Sequence, residues 1–395
     1  MKFLIVGAGF SGAVLARQLA EALDCRIEVW DEREHIAGNC HTERDAATGV
    51  MVHRYGPHIF NTDSTEVWDY VRRFGEFRPF TNRVKAVTAR GVFSLPINLL
   101  TINQFFGKAM GPEEAREFLR SQGDASIGEP SNFEEQALKM MGRDIYETFF
   151  KGYTIKQWGC DPKELPASVL KRLPVRFNYD DNYYDKPHQG IPAEGYTALM
   201  QNMLDHPRIE VRLGRRFEPA QLGGLAGVFD QVVFTGPIDA FFGHSEGRLG
   251  YRTVSFERID TDVEDFQGNA VINYPELSVP WTRIHEHKHF APWERHERTA
   301  VFREYSTETG LEDAPYYPKR LAPDKAILKR YRAMAEEHRC SVVAGRPGVS
   351  FLGRLATYRY LDMAPAIGEA LDFARRLIDG VRGGQPLPVF PNEET

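Results

Sequence analysis

Residues 1–31 read MKFLIVGAGFSGAVLARQLAEALDCRIEVWD, and the fold is decided there. Phe3 to Val6 form the apolar run of a buried strand, and Val14, Leu15, Leu19 and Leu23 recur on one helical face. Arg26 to Trp30 then alternate as a second strand, so the stretch predicts a βαβ unit. Between the first strand and the helix, Gly7, Gly9 and Gly12 stand at GxGxxG spacing. Glycines there permit the tight turn and let a pyrophosphate approach the helix N-terminus, with Phe10 and Ser11 in the first turn. Asp31, 19 residues after Gly12, or its neighbour Glu32, supplies a carboxylate for ribose hydroxyls. The motif predicts dinucleotide binding and leaves NAD and FAD open.

Two further segments favour FAD. Ile36, Ala37, Gly38 and Asn39 form a second glycine turn just beyond the second strand. Near the other end of the chain, Gly353 and Arg354 precede Tyr358 to Met363, which runs into a helix with Pro365 in its first turn. A helix N-terminus beginning at Asp362 and Met363 can stabilise negative charge on a flavin ring, and Arg354 can reach the pyrophosphate. A chain that starts and finishes at one cofactor suits FAD.

Outward from these motifs, Ser64 to Gly75 reads as a capped helix, and residues 77–95 as a hairpin turning at Arg90 and Gly91. Residues 97–158 are helical, with breaks at Gly111, at Gly128 to Pro130 and at Gly142. Cys160 to Ile191 carries Pro162, Pro166, Pro174 and Pro187 with Arg172, Arg176, Tyr183 and Tyr184, a composition that fits a lid. Residues 252–305 read as short alternating strands, followed by helices over 324–338 and 364–379 and a strand over 349–352. The expected fold class is α/β. A Rossmann-like FAD-binding domain is expected from residues 1–75, 190–245 and 320–382, with a helical insertion over 97–180 and a mobile lid over 160–190. An antiparallel-sheet substrate domain is expected from 76–96 and 250–318, and residues 383–395 read as a frayed tail.

The 395 residues are 42% hydrophobic and 26% charged with a net charge of -6, which excludes collagen, coiled coil and wholesale disorder. Nucleic-acid binding has no electrostatic support, so an anionic ligand must be held by local arginines. Cys25, Cys40, Cys160 and Cys340 are far apart and read as thiols of a reducing, cytoplasmic compartment. The N-terminal apolar run is too short for a signal sequence or a membrane span. His285, His287 and His289 alternate as if on one strand with no carboxylate pair beside them, and no metal is expected.

Eight segments together resemble one family, the bacterial UDP-galactopyranose mutases: GAGFSG (7–12), GPHIF (56–60), YTIKQW (153–158), LKRLPVR (170–176), FTGPIDAFF (234–242), WTRIHEHKHF (281–290), PYYP (315–318) and GRLATYRYLDM (353–363). Asn61 departs from the family's second histidine after GPHIF. The resemblance implies a flavin-dependent isomerase that interconverts UDP-galactopyranose and UDP-galactofuranose, with reduced FAD attacking the anomeric carbon through N5, UDP leaving, and no net redox change. It also implies an electron donor to reduce the flavin. A homo-oligomer is expected.

Under that resemblance, Arg172 and Arg283 are the expected catalytic residues, gripping the diphosphate with planar guanidinium forks. Tyr183, Tyr317 and Tyr360 would donate hydrogen bonds to it. Phe149 and Tyr153 would stack on or flank the uracil, and Trp158 would lie beside the sugar. Asn82 would bind a sugar hydroxyl and Asn273 the uridine side. His58 and Ile59 are carried over as flavin neighbours, with Tyr360 and Met363 shared by the cofactor. Two other readings compete: an FAD-dependent oxidase of the amine-oxidase type, and a non-catalytic dinucleotide-binding module. Neither needs two arginines and several tyrosines arranged for a diphosphate.

Overall fold

A computed structural model describes residues 1–172, 175–338 and 347–392. The βαβ opening forms as its pattern dictates, with strands Lys2–Val6 and Arg26–Trp30 joined by the helix Phe10–Ala22. Among the described residues these strands belong to a five-stranded sheet in which every pairing is parallel. Its order is Ile209–Arg212, Arg26–Trp30, Lys2–Val6, Gln231–Phe234, Gly348–Phe351. The strand order reverses about Lys2–Val6, so the crevice at the carboxyl ends of the central strands is where such a sheet binds a nucleotide.

Both faces are covered, as a parallel sheet requires. On one face the helices Phe10–Ala22, Gly195–Leu204 and Met363–Gly383 bury Leu15, Leu19, Met200, Ile367 and Phe373. On the other, Phe217, Phe241 and Tyr331 pack against Phe234 and Phe351. The last helix has no frayed end after Gly380. Residues 388–390 return to the sheet: Phe351 N donates to Val389 O at 2.7 Å, Ser350 Oγ donates to Pro388 O at 2.6 Å, and Val389 and Phe390 are buried. The Gly and Pro content that predicted fraying flanks these two apolar anchors, with Pro391 directly after Phe390.

A seven-stranded sheet forms the second layer, in the order Tyr317–Pro318, Tyr251–Ile259, Val301–Glu308, Arg283–Glu286, Val271–Asn273, Val84–Thr88, Gly91–Leu95. It is not wholly antiparallel as expected: Val271–Asn273 and Val84–Thr88 run parallel, because the two parts of the sheet come from distant segments and not from one hairpin. Phe77–Arg78 also leaves the expected hairpin and pairs with His188–Pro192. The helical insertion runs through Leu99–Phe106, Pro112–Gln122, Phe133–Ile145 and Gly152–Trp158, kinked at Gly142, and packs its core on Phe93 and Ala86. No helix among the described residues is long and apolar enough to cross a membrane.

Candidate active site

The glycine turns are close-packed by necessity. Gly7 has φ of +109°, and a Cβ there would sit 2.0 Å from Thr235 Oγ1, while a Cβ on Gly12 would sit 2.0 Å from Gly7 O. Gly9 precedes the helix without a side-chain cap, which leaves first-turn N–H groups for an anion. The second turn, with Ala37 and Gly38 both at positive φ, closes on the first: a Cβ on Gly38 would lie 3.3 Å from the Gly9 Cα. Where the two turns face each other, at Gly9 and Gly38, neither carries a side chain, and the backbone there forms a cradle whose residues fit a pyrophosphate. Gly353 joins them from the far end of the chain, its Cβ position only 2.7 Å from Ser11 Oγ.

The carboxylate at the end of the second strand is Asp31, which accepts from Ala8 N at 2.8 Å and Arg33 N at 3.0 Å and so rigidifies the loop. Glu32 is exposed, 3.9 Å from Arg216. Asn39 accepts from Arg33 Nη2 at 3.0 Å, and Phe10 packs edge-on against Tyr196. Arg354 donates from Nε to Leu361 O at 2.8 Å and from Nη1 to Tyr316 O at 3.3 Å, closing the loop that leads to Asp362 and Met363. His58 bonds Gly56 O through Nδ1 at 2.6 Å, and burial pushes its pKa down to about 4, so the ring is neutral beside buried Ile59.

On the other side of the crevice, Arg283 is close enough to act electrostatically on Tyr153, Tyr183, Tyr184, Tyr317 and His58. Burial raises the pKa values of all four tyrosines, which keeps them as O–H donors at neutral pH. Tyr317 and Tyr360 stack at 5.4 Å, Trp158 lies 6.1 Å from Tyr360, and Arg354 sits over both tyrosines. Asn273 stands opposite Arg283 in the sheet, and Asn82 passes its carbonyl to Tyr183 N at 2.7 Å. Both asparagines are buried, and among the described residues neither Oδ1 has a hydrogen-bond partner.

Phe149 is more enclosed than the other expected site aromatics. It belongs to the apolar core of the helical insertion, edge-on to Phe93 at 5.3 Å and beside Phe105. The Arg172 side chain, which lies in the turn Ala167–Arg172, and the thiol of Cys340 both fall outside the described part. Arg176 is a staple of the same segment, donating to Asp180 Oδ2 at 3.0 Å and to the Asn182 carbonyl.

The three histidines do not share a strand, since the strand ends at Glu286 and His287–Phe290 is a 3-10 turn. His285 is wholly buried 3.2 Å from Glu304, and His287 accepts from His53 N at 3.2 Å. His289 does have a carboxylate pair, Asp265 at 3.2 Å and Glu286 at 3.5 Å, which raises its pKa and makes the trio an ion-paired cluster.

Sequence reading missed Glu304. It is 1% exposed, stands opposite Arg283 in the register, and accepts from its Nη2 at 2.6 Å and Nε at 3.1 Å. Burial opposes the Arg283 charge, but this carboxylate outweighs it and holds the guanidinium protonated. The signal was present: in Val301–Glu308 the period-2 pattern puts Glu304 on the same inward face as Phe302.

The family described as UDP-galactopyranose mutase matches residues 148–360, and that of an NAD(P)-binding Rossmann-like domain matches residues 5–74. The chain belongs to the UDP-galactopyranose mutase family. It is accordingly a flavoenzyme and an isomerase. A probable UDP-galactopyranose mutase of Klebsiella pneumoniae is 51% identical, covering 98% of this chain and 97% of that one. A dTDP-fucopyranose mutase of Escherichia coli is 49% identical, covering 95% and 98%. In fold, the mutase resembles a solved structure of reduced UDP-galactopyranose mutase at a TM-score of 0.72 and 14% identity, with 98% of both chains covered.

Proposed function

We propose that this mutase interconverts UDP-galactopyranose and UDP-galactofuranose in the crevice between the two sheets. FAD, when bound and reduced, supplies a nucleophilic N5 that displaces UDP from the anomeric carbon and releases it again with no net redox change. Arg283, held from behind by Glu304, meets the diphosphate as a fixed charge, and Arg172 is proposed as the second guanidinium for it. Tyr183, Tyr317 and Tyr360 donate to the phosphate oxygens. Trp158 offers an apolar face to the sugar, and Tyr153 lies beside the base. Keeping the departing UDP bound is what makes its return possible, so these residues act by position and not by proton transfer. A separate electron donor has to reduce the flavin, and the proposal includes homo-oligomeric assembly in the cytoplasm.

The choice of UDP-galactose over a dTDP-6-deoxy sugar rests on the two orphaned acceptors. UDP-galactose carries a ribose 2′-hydroxyl and a sugar 6-hydroxyl, both absent from dTDP-fucose. Asn273 and Asn82 are a buried acceptor for each, and a buried acceptor left unpaired costs about 1–3 kcal/mol. The second reading is kept by the Escherichia coli relative at 49% identity. The test is to incubate the chemically reduced protein with UDP-galactofuranose, with dTDP-fucofuranose, and with both in competition, and to repeat each with oxidised protein. Faster conversion of the dTDP sugar would replace the proposed substrate, and equal turnover in the oxidised state would refute the role of reduced flavin.

A further inference from the structure

Lys156 ends in a nest of carbonyls. Its Nζ lies 2.5 Å from Tyr274 O, 2.9 Å from Glu276 O, 2.9 Å from Val279 O and 2.8 Å from Trp281 O. An ammonium has three N–H donors, so four carbonyls at these distances surround it as oxygens surround a coordinated monovalent ion. All four belong to residues 274–281, the loop joining Val271–Asn273 to Arg283–Glu286. The loop therefore begins next to Asn273 and ends next to Arg283. The lysine itself sits on Gly152–Trp158, the helix that carries Tyr153 and Trp158.

We infer that Lys156 is a positioning residue: a tethered cation around which the 274–281 loop folds, locking Asn273 and Arg283 in register against the Tyr153 and Trp158 wall. Within the loop Glu276 O also accepts from Val279 N at 3.2 Å, while the inward carbonyls of Tyr274, Val279 and Trp281 meet the ammonium, and buried carbonyls need such a partner. Glu276 extends the lock, accepting from Ala89 N at 2.6 Å and ending the loop's freedom on its outer side. Truncating the lysine then leaves a site of defined chemistry, a cavity that takes a small ammonium ion with N–H donors. That consequence separates a structured cation site from mere packing by a long side chain.

The experiment uses the flavin-loaded full chain. Hydrogen exchange of peptides covering residues 271–285 should accelerate by about tenfold or more in Lys156→Met and Lys156→Ala, while peptides covering residues 1–31 stay unchanged. Methylammonium added to Lys156→Ala should restore protection with saturation, and tetramethylammonium, which has no N–H, should not. UDP affinity should follow the same pattern, an arm that rests on the proposed function. Unchanged exchange over 271–285 in both variants, or equal rescue by tetramethylammonium, overturns the inference. Failure of the wild type to bind UDP would instead strike the functional reading and leave the exchange result to decide the lysine. Should neither variant retain flavin, acetylation of the wild type decides: burial pushes the Lys156 pKa down to about 8 and by itself favours acylation, so slower labelling than exposed Lys325 is expected only if the N–H groups are held by the carbonyls, and labelling as fast as Lys325 overturns the inference.

Discussion

Replacing Arg283 by alanine removes two things at once, and the geometry allows them to be separated. The first is a guanidinium that the proposed function places on the diphosphate. Truncating a buried hydrogen-bonded charge partner costs about 2–5 kcal/mol, so UDP affinity should fall by roughly 30-fold at the least. The second is the partner of Glu304, a carboxylate 1% exposed. Breaking a buried pair from one side destabilises by about 3–5 kcal/mol. The low end applies, because the Arg283 side chain is 28% exposed and His285 offers Glu304 a replacement at 3.2 Å. His285 is held neutral first by burial and next by the Arg283 charge itself, so loss of Arg283 favours proton uptake by the imidazole. The stability deficit should therefore shrink as pH is lowered toward 6. Adding Glu304→Gln removes the stranded charge, so the double variant should recover thermal stability without recovering UDP affinity. Calorimetric titration with UDP and thermal melts of the flavin-loaded protein at pH 6 and pH 8 read the two effects separately. UDP affinity within threefold of wild type in Arg283→Ala would refute the assignment. Recovery of UDP affinity in the double variant would show that the loss came through the fold and not through the ligand.

Arg172→Ala is expected to abolish turnover with flavin content unchanged, whereas Arg176→Ala should loosen the 176–182 turn that it staples and so lower stability first; a melt beside an activity assay distinguishes them. Gly38→Val, which sets a branched side chain against Gly9, should release flavin, visible as loss of the yellow absorbance; full flavin occupancy would contradict the facing-turn cradle. Burial holds His53, His58, His285 and His287 neutral in the fold, with pKa values below the ordinary 6.5. Since the unfolded chain takes up those protons first, stability should be fully present above pH 6.5 and fall below it, by about 1.4 kcal/mol per pH unit for each histidine. Urea midpoints that stay flat from pH 6.5 to 5 would refute this.

How much of this was legible in sequence depends on how local each signal is. The glycine turns were readable because their requirement is intrinsic: Gly7 needs positive φ, and Gly12 has no room for a Cβ. The breaks in the helical insertion were readable for the same reason, with Gly142 at φ of 79°. The parallel joint between Val84–Thr88 and Val271–Asn273 was not, because alternation reports which face a side chain takes and says nothing of which strand lies alongside. Phe149 and Phe150 illustrate a similar limit, as two adjacent apolar rings do not tell what each packs against, and both lie in the core of the helical insertion. The carboxylates around His289 come from Asp265, in the loop before the strand Val271–Asn273, and from Glu286, and only tertiary structure unites them.

The helix Gly152–Trp158 shows why a family motif extends beyond the residues that face a ligand. Its seven residues continue the π-helical turn Tyr146–Lys151, which itself follows Phe133–Ile145, so it is about the last two turns of a longer helical rod. Its C-terminal carbonyls are taken by the other layer: Arg252 Nη2 donates to Lys156 O at 3.0 Å, Arg252 Nε to Gln157 O at 3.0 Å, and Ser306 Oγ to Gln157 O at 2.8 Å. A guanidinium there also complements the negative end of the helix dipole. The helix then ends at Gly159 in the left-handed region, where a Cβ would sit 2.2 Å from Arg252 Nη1. Within YTIKQW, then, Tyr153 lies within electrostatic reach of Arg283, Trp158 lies 6.1 Å from Tyr360, Lys156 Nζ meets the carbonyls of the 274–281 loop, and the backbone of Lys156 and Gln157 is bolted to the sheet. That division explains how one short segment fixes its aromatic wall relative to Arg283, which rises from the same sheet. A site assembled from distant segments keeps its geometry only if each is anchored to the others by polar bonds as directional as those it offers the ligand.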